Sequence, residues 1–131
     1  MVATTAPSVE KIIETFPIPV LTRITGQPTY EKIREINEQL NVNAVSVMSA
    51  RGGVAHGHLG ILVSPTVYAT LSATPFEKPT MPAEVNAEGM TGPQITHAKR
   101  QYDAEKAEYY TFINLQNALK NNLLQQLTQF S

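Results

Sequence analysis

The sequence predicts a small all-α domain, and three features support this prediction. The chain has 131 residues, a length that fits one domain with a sizeable buried core. Serine or threonine stands directly before several apolar runs, in the position of a helix N-cap. Apolar residues recur at three- and four-residue steps, most clearly in the last third of the chain, as they do in amphipathic helices.

The composition favours a structural or binding protein over several other classes. Charged residues make up only 16% and hydrophobic residues 42%, a balance that argues against wholesale disorder. The net charge is −1 and no basic cluster is present, so direct binding to nucleic acid phosphates is not expected. There are no cysteines, which excludes disulfides and cysteine-based sites. We expect a cytoplasmic protein, because neither a signal peptide nor a membrane-spanning run is found.

The N-terminal region is predicted to be a flexible arm at residues 1–7, followed by a single helical domain over residues 8–131. Ser8 caps a short first helix. Pro17 ends it, because the residue before a proline is pushed out of the helical region. The run at residues 20–24 is either a short strand or an extended segment.

Two more helix starts follow. Thr29 caps a second helix, predicted over about residues 30–48, whose β-branched second half is its weaker part. Ser64 followed by Pro65 is a strong start for a third helix. The side chains expected to point inward from the third helix are Val67, Tyr68 and Leu71.

A proline- and glycine-rich loop at residues 74–93 precedes the longest predicted helix, which spans about residues 94–129. At about 1.5 Å per residue this helix would be about 50 Å long, so a kink or break near residues 111–117 is also considered. After Glu108 its only charged side chain is Lys120. Such a neutral helix is expected where more protein covers it. The candidate residues for self-association are Tyr109, Phe112, Leu115, Leu119, Leu123 and Leu127.

The glycine-rich stretch at residues 51–60 is the strongest candidate for a metal site in the sequence. His56 and His58 can chelate a metal from an extended chain, but zinc needs three or four ligands and His97 is the only other histidine. We favour a tight glycine turn whose histidines make backbone hydrogen bonds or meet solvent. The apolar run at residues 59–63, which overlaps the end of this stretch, is one helical turn or a short strand.

Catalytic motifs are absent from the sequence. There is no serine elbow, and the glycines do not match the phosphate-loop patterns. Glu105 and Glu108 are expected to form solvated pairs with neighbouring basic residues such as Lys99, Arg100 or Lys106. We therefore predict no enzyme, no cofactor, no metal and no small-molecule substrate.

Five sets of residues stand out between Phe16 and Leu124: Phe16-Pro17 with Pro28-Thr29-Tyr30, Leu40 to Ala44, Gly52 to Gly60, Ser64 to Tyr68, and Ala118 to Leu124. Their order resembles an N-terminal Gag-like, capsid-like region of copia-type LTR retroelements. The resemblance implies an all-helical subunit that self-assembles into a shell around element RNA. The basic or zinc-knuckle tail that usually contacts RNA in this family is absent here, so any RNA contact is expected to be indirect.

Three hypotheses about function follow. The first is a structural domain that forms homo-oligomers or particles and does not bind membranes. The alternative is a non-catalytic helical module that binds another protein or peptide, with the 74–93 loop as its recognition element. The third is a metal-dependent activity at His56 and His58. The sequence leaves open the symmetry of an assembly, the partner, and whether the chain is part of a longer protein.

Overall fold

The structure is a computed structural model that describes residues 6–23, 26–49 and 51–127, with the side chains at positions 54, 126 and 127 excepted. The described part is all-helical, which confirms the predicted fold class. Its helices are α1 (Val9–Thr15), α2 (Tyr30–Val45), α3 (Pro65–Leu71) and α4 (Gly92–Leu127), with single-turn 3₁₀ helices at Val54–His56 and Leu59–Ile61. No strand occurs among these residues. Most of the predicted arm and the end of the run at 20–24 lie outside them.

Side-chain caps open the helices where the sequence predicts them. In α1, α2 and α3 a hydroxyl accepts the backbone N–H three residues later at 3.2 Å, and the capping residues are Ser8, Thr29 and Ser64. α4 begins with a reciprocal capping box. Thr91 Oγ1 accepts from the Gln94 N–H at 3.3 Å, and Gln94 Oε1 accepts from the Thr91 N–H at 2.9 Å.

α2 ends at Val45, three residues before its predicted end at residue 48. The last carbonyls of the helix find other donors. Ser46 Oγ donates to the Asn43 carbonyl at 2.6 Å, and the His58 N–H donates to the Ala44 carbonyl at 3.0 Å. Because the glycine-rich stretch supplies a donor at this point, the helix stops there rather than continuing through its β-branched end.

The hydrophobic core lies between α1, α2, the second half of α4 and the linker after α1. Its buried members are Ile12, Phe16, Leu21, Ile36, Leu40, Ala44, Leu115, Ala118 and Leu119. Each large aliphatic side chain that is fully buried stabilises the fold by roughly 1.5–3 kcal/mol. From α3, only Tyr68 is buried. The prediction that Val67 and Leu71 point inward is wrong, because they are 47% and 48% exposed.

Two buried amide side chains bind the linker that follows α1 and contains Pro17 and Pro19. Asn43 accepts from the Ile18 N–H at 3.0 Å and donates to the Ile18 carbonyl at 2.8 Å. Asn43 also donates to Asn122 Oδ1 at 3.1 Å, and Asn122 donates to the Pro19 carbonyl at 2.8 Å. The linker belongs to neither a helix nor a sheet. The side chains of Asn43 and Asn122 therefore supply the hydrogen bonds that its backbone groups at Ile18 and Pro19 need in the interior.

α4 is one uninterrupted helix of 36 residues, about 54 Å long. The break considered near residues 111–117 does not occur. No α4 residue before Phe112 is buried, so the first half of the helix extends beyond the core. The covered face also changes along the helix. At roughly 100° per residue, the half-buried face of Ile95 and Tyr102 is nearly half a turn from the buried face of Leu115 and Asn122.

None of the helices in the described ranges is both long and apolar enough to cross a lipid bilayer. The connection from α3 to α4, residues 72–91, contains no helix. It brings Phe76 and a buried Pro79 back to the folded part of the chain.

Candidate functional site

The glycine-rich stretch folds into two 3₁₀ turns beneath the end of α2. Gly57 has a φ of +48°, a conformation that favours glycine. A Cβ at Gly57 would also lie 2.2 Å from the Val45 carbonyl oxygen. Glycine is thus required here because the turn presses directly against the α2 backbone.

Both histidines of the stretch bind backbone carbonyls. His58 is buried, and its Nδ1 lies 2.7 Å from the Val47 carbonyl oxygen. His56 Nε2 lies 3.0 Å from the Leu71 carbonyl oxygen. His97 is exposed on α4, and within the described part of the chain no group of three or more potential ligands is arranged to hold a metal. The histidines therefore tie the turns to the ends of α2 and α3.

Burial lowers the pKa of His58 from its ordinary value of 6.5, and the hydrogen bond to Val47 and the charge of Glu108 oppose this shift. The imidazole is therefore neutral in the folded protein at neutral pH, and its Nδ1 carries the hydrogen that it donates to Val47.

Phe76 is the centre of an aromatic cluster. Its ring centroid lies 5.9 Å from that of Tyr68, 6.1 Å from His58 and 6.4 Å from Phe112. The Tyr68 hydroxyl accepts from the Gly53 N–H at 2.9 Å. Sequence analysis missed Phe76, although it is the only aromatic residue in the 74–93 loop. The cluster joins that loop to the turns, α3 and α4.

An ion pair lies beside this cluster. Arg51 Nε is 2.6 Å from Glu108 Oε1, and both side chains are about one-third exposed or less. The hydrogen bond to Glu108 raises the pKa of Arg51 above its ordinary value. Glu108 therefore pairs with a residue 57 positions earlier, and the predicted pairing with basic neighbours on its own helix is wrong for it. The Glu77 N–H donates to the Arg51 carbonyl at 2.7 Å, which holds the loop in place.

Within the described residues, two cavities flank the loop beside Pro75. The first, of about 240 Å³, has walls from the second 3₁₀ turn, α3 and the loop, with Lys78 at its rim. The second, of about 330 Å³, contains the Arg51–Glu108 pair and Glu77. The first cavity combines apolar lining residues with one lysine, a combination suited to binding.

The candidate self-association residues do not share one outer surface. Phe112, Leu115 and Leu119 are 5%, 0% and 3% exposed and belong to the interior of the subunit. Tyr109 and Leu123 are half-buried, and the Leu127 side chain lies outside the described residues.

The outer face of the second half of α4 instead presents a set of residues that we call the neutral strip. Its members are Tyr110, Ile113, Asn117, Asn121 and Leu124. Tyr110 and Leu124 are each 41% exposed. A groove of about 420 Å³ between α1 and α4 adjoins the strip and is lined in part by Val9, Ile13 and Leu124. Sequence analysis recognised the low charge of this helix but not which face it leaves uncovered.

Comparisons with known proteins found no matching family model, no matching curated protein and no matching solved structure. The resemblance to the Gag-like region of copia-type retroelements therefore stays a prediction.

Proposed function

We propose that this chain is a non-catalytic assembly domain that binds a second copy of itself through the neutral strip. The observation that carries the proposal is the combination of apolar exposure and scarce charge on the outer face of α4. After Glu108 the helix has one charged side chain, Lys120, while Tyr110 and Leu124 remain 41% exposed. Aromatic and aliphatic residues without charge are typical of the centre of protein interfaces.

A second copy is the partner that this chemistry suits best. In a two-fold symmetric dimer the same surface patch faces itself, so residues near the axis meet their own copies. Equal charges would repel each other in that arrangement. The amides of Asn117 and Asn121 both donate and accept hydrogen bonds, so they are complementary to themselves.

A capsid-like role in forming larger particles is the further part of this proposal, and it rests on the Gag-like resemblance and the all-helical fold. Contact with RNA would be indirect, because the net charge is −1 and no basic cluster is present. A cytoplasmic location is part of the same expectation. We do not propose a metal-dependent activity, since no group of three or more potential ligands among the described residues is arranged to hold a metal.

Light scattering of the full chain over a wide concentration range tests the assembly. We expect the mass to rise with concentration, and we expect Leu124→Asp and Tyr110→Asp to hold the protein as a monomer. Gln101→Asp is the matched control, because Gln101 is exposed on the same helix but lies outside the strip. Leu119→Asp is not a useful test, because Leu119 is 3% exposed and its substitution would damage the core.

A wild-type protein that stays monomeric at the highest soluble concentration would refute the proposal. So would strip variants that associate as strongly as wild type. A strictly monomeric wild type would favour the alternative function, binding of another protein or peptide through the 74–93 loop.

A further inference from the structure

The cavity beside α3 is small and partly enclosed. Its volume is about 240 Å³, and it is more enclosed than the hollows beside α1 and at the start of α4. The side chains that matter for its chemistry are Ile61, Val63, Tyr68, Phe76 and Lys78. Pockets for drug-sized ligands usually measure about 300–1,000 Å³, so this cavity fits a smaller ligand such as one aromatic ring.

Two glycines allow the aromatic walls of the cavity to pack close to the backbone. A Cβ at Gly60 would lie 2.3 Å from the Phe76 ring, and a Cβ at Gly52 would lie 2.5 Å from the Tyr68 hydroxyl. Both rings can therefore lie directly against the backbone. The Gly53 N–H further fixes Tyr68 through its hydroxyl at 2.9 Å. Walls that are fixed before a ligand arrives reduce the ordering cost of binding.

Among the described residues that line this cavity, Lys78 is the only charged one. None of the ion pairs among the described residues involves it. The backbone just before it is anchored, because the Glu77 N–H donates to the Arg51 carbonyl at 2.7 Å. Lys78, whose ammonium group takes part in no ion pair among the described residues, therefore lines an otherwise uncharged cavity.

We propose that this cavity binds a small apolar carboxylate. The apolar part packs against Tyr68 and Phe76, and the carboxylate accepts a charge-assisted hydrogen bond from Lys78. The site goes beyond the proposed assembly and does not depend on it, because the cavity residues are separate from the neutral strip. The site also assigns a function to the glycine-rich stretch, which takes no part in the proposed self-association.

Titrations of the full chain, followed by the backbone amide signals of Gly60 and Phe76, test this site. We expect phenylacetate to bind about tenfold more tightly than its uncharged analogue phenylacetamide, because hydrogen bonds to charged groups are the stronger ones. Lys78→Met should remove this preference while both compounds still bind weakly. Lys99→Met is the matched control, because Lys99 is an exposed lysine outside the cavity, and should keep the preference. Val63→Phe should fill the cavity and abolish binding of both compounds.

Several results would overturn the proposal. These are absence of binding at millimolar phenylacetate, equal affinity for the two compounds, and a Lys78→Met variant that retains the preference. Tighter binding of a terminally blocked Phe-Glu peptide than of phenylacetate would assign the cavity to protein side chains instead of a free small molecule. If Val63→Phe does not fold, Lys78→Met decides the question, because Lys78 is exposed and its substitution spares the interior.

Discussion

The two halves of α4 belong to one continuous helix but are stabilised in different ways. Apart from the Arg51–Glu108 ion pair at its end, the first half has local contacts: the Thr91–Gln94 capping box and the Lys106 ammonium 5.7 Å from the centre of the Tyr102 ring. The second half carries residues of the main hydrophobic core and the buried amide Asn122. Regular helical spacing alone therefore does not show whether a helix is covered. The change from charged to amide side chains after Glu108 is the informative signal.

The largest expected difference between the halves comes from shortening core side chains. Leu115 is fully buried, so Leu115→Ala should lower the free energy of unfolding by roughly 2–5 kcal/mol. Ile95→Ala in the first half should cost less, because Ile95 is only half-buried and lies outside the main core. Urea denaturation of both variants measures the difference. Equal losses would show that the first half of α4 is as tightly packed as the second.

The buried amide pair gives the next largest effect. Asn122→Ala removes the partner of the Pro19 carbonyl and one partner of Asn43, so we expect a loss of roughly 1–3 kcal/mol in the free energy of unfolding. Asn121→Ala, at the exposed neighbouring position, should change it by no more than about 0.5 kcal/mol. Similar results for the two variants would contradict the role assigned to the amide pair.

The pH dependence of stability probes the region where the halves of α4 meet. Because the pKa of His58 is lowered in the folded state, the unfolded chain takes up the proton first as the pH falls. The stability contributed by His58 is therefore complete above its ordinary pKa of 6.5 and decreases below it, by at most about 1.4 kcal/mol per pH unit.

A substitution isolates this contribution. His58→Asn keeps an N–H donor for the Val47 carbonyl but cannot be protonated, so the decrease in stability between about pH 7 and 5.5 should become shallower. His97→Gln, at an exposed position on α4, should keep the wild-type slope. Urea midpoints across this pH range measure both. A wild-type slope in His58→Asn would mean that other groups cause the acid sensitivity.

The all-α class and the helix starts could be predicted because caps are local: Ser8, Thr29 and Ser64 each bind a backbone N–H three residues away. The buried face of α4 could not, because contacts between distant residues determine it. Asn43 and Asn122 are 79 positions apart. The role of Phe76 could not be predicted for the same reason, because Phe112, one of the rings it contacts, is distant in sequence.

The smallest expected effect concerns the start of α4, and it separates local from global stability. Thr91→Ala removes the hydroxyl that caps the Gln94 N–H, a change that typically costs about 1 kcal/mol. Because no α4 residue before Phe112 is buried, this loss should fray the first half of the helix and leave the core folded. We therefore expect faster amide hydrogen exchange at Ile95 to Gln101, with unchanged exchange at Leu115 to Asn122 and an unchanged urea midpoint. Thr96→Ala is the control, because the Thr96 hydroxyl donates to the Gly92 carbonyl within the helix and does not cap it. Faster exchange over the whole of α4 in Thr91→Ala would show that the two halves unfold together, and their different contacts would then have no separate thermodynamic meaning.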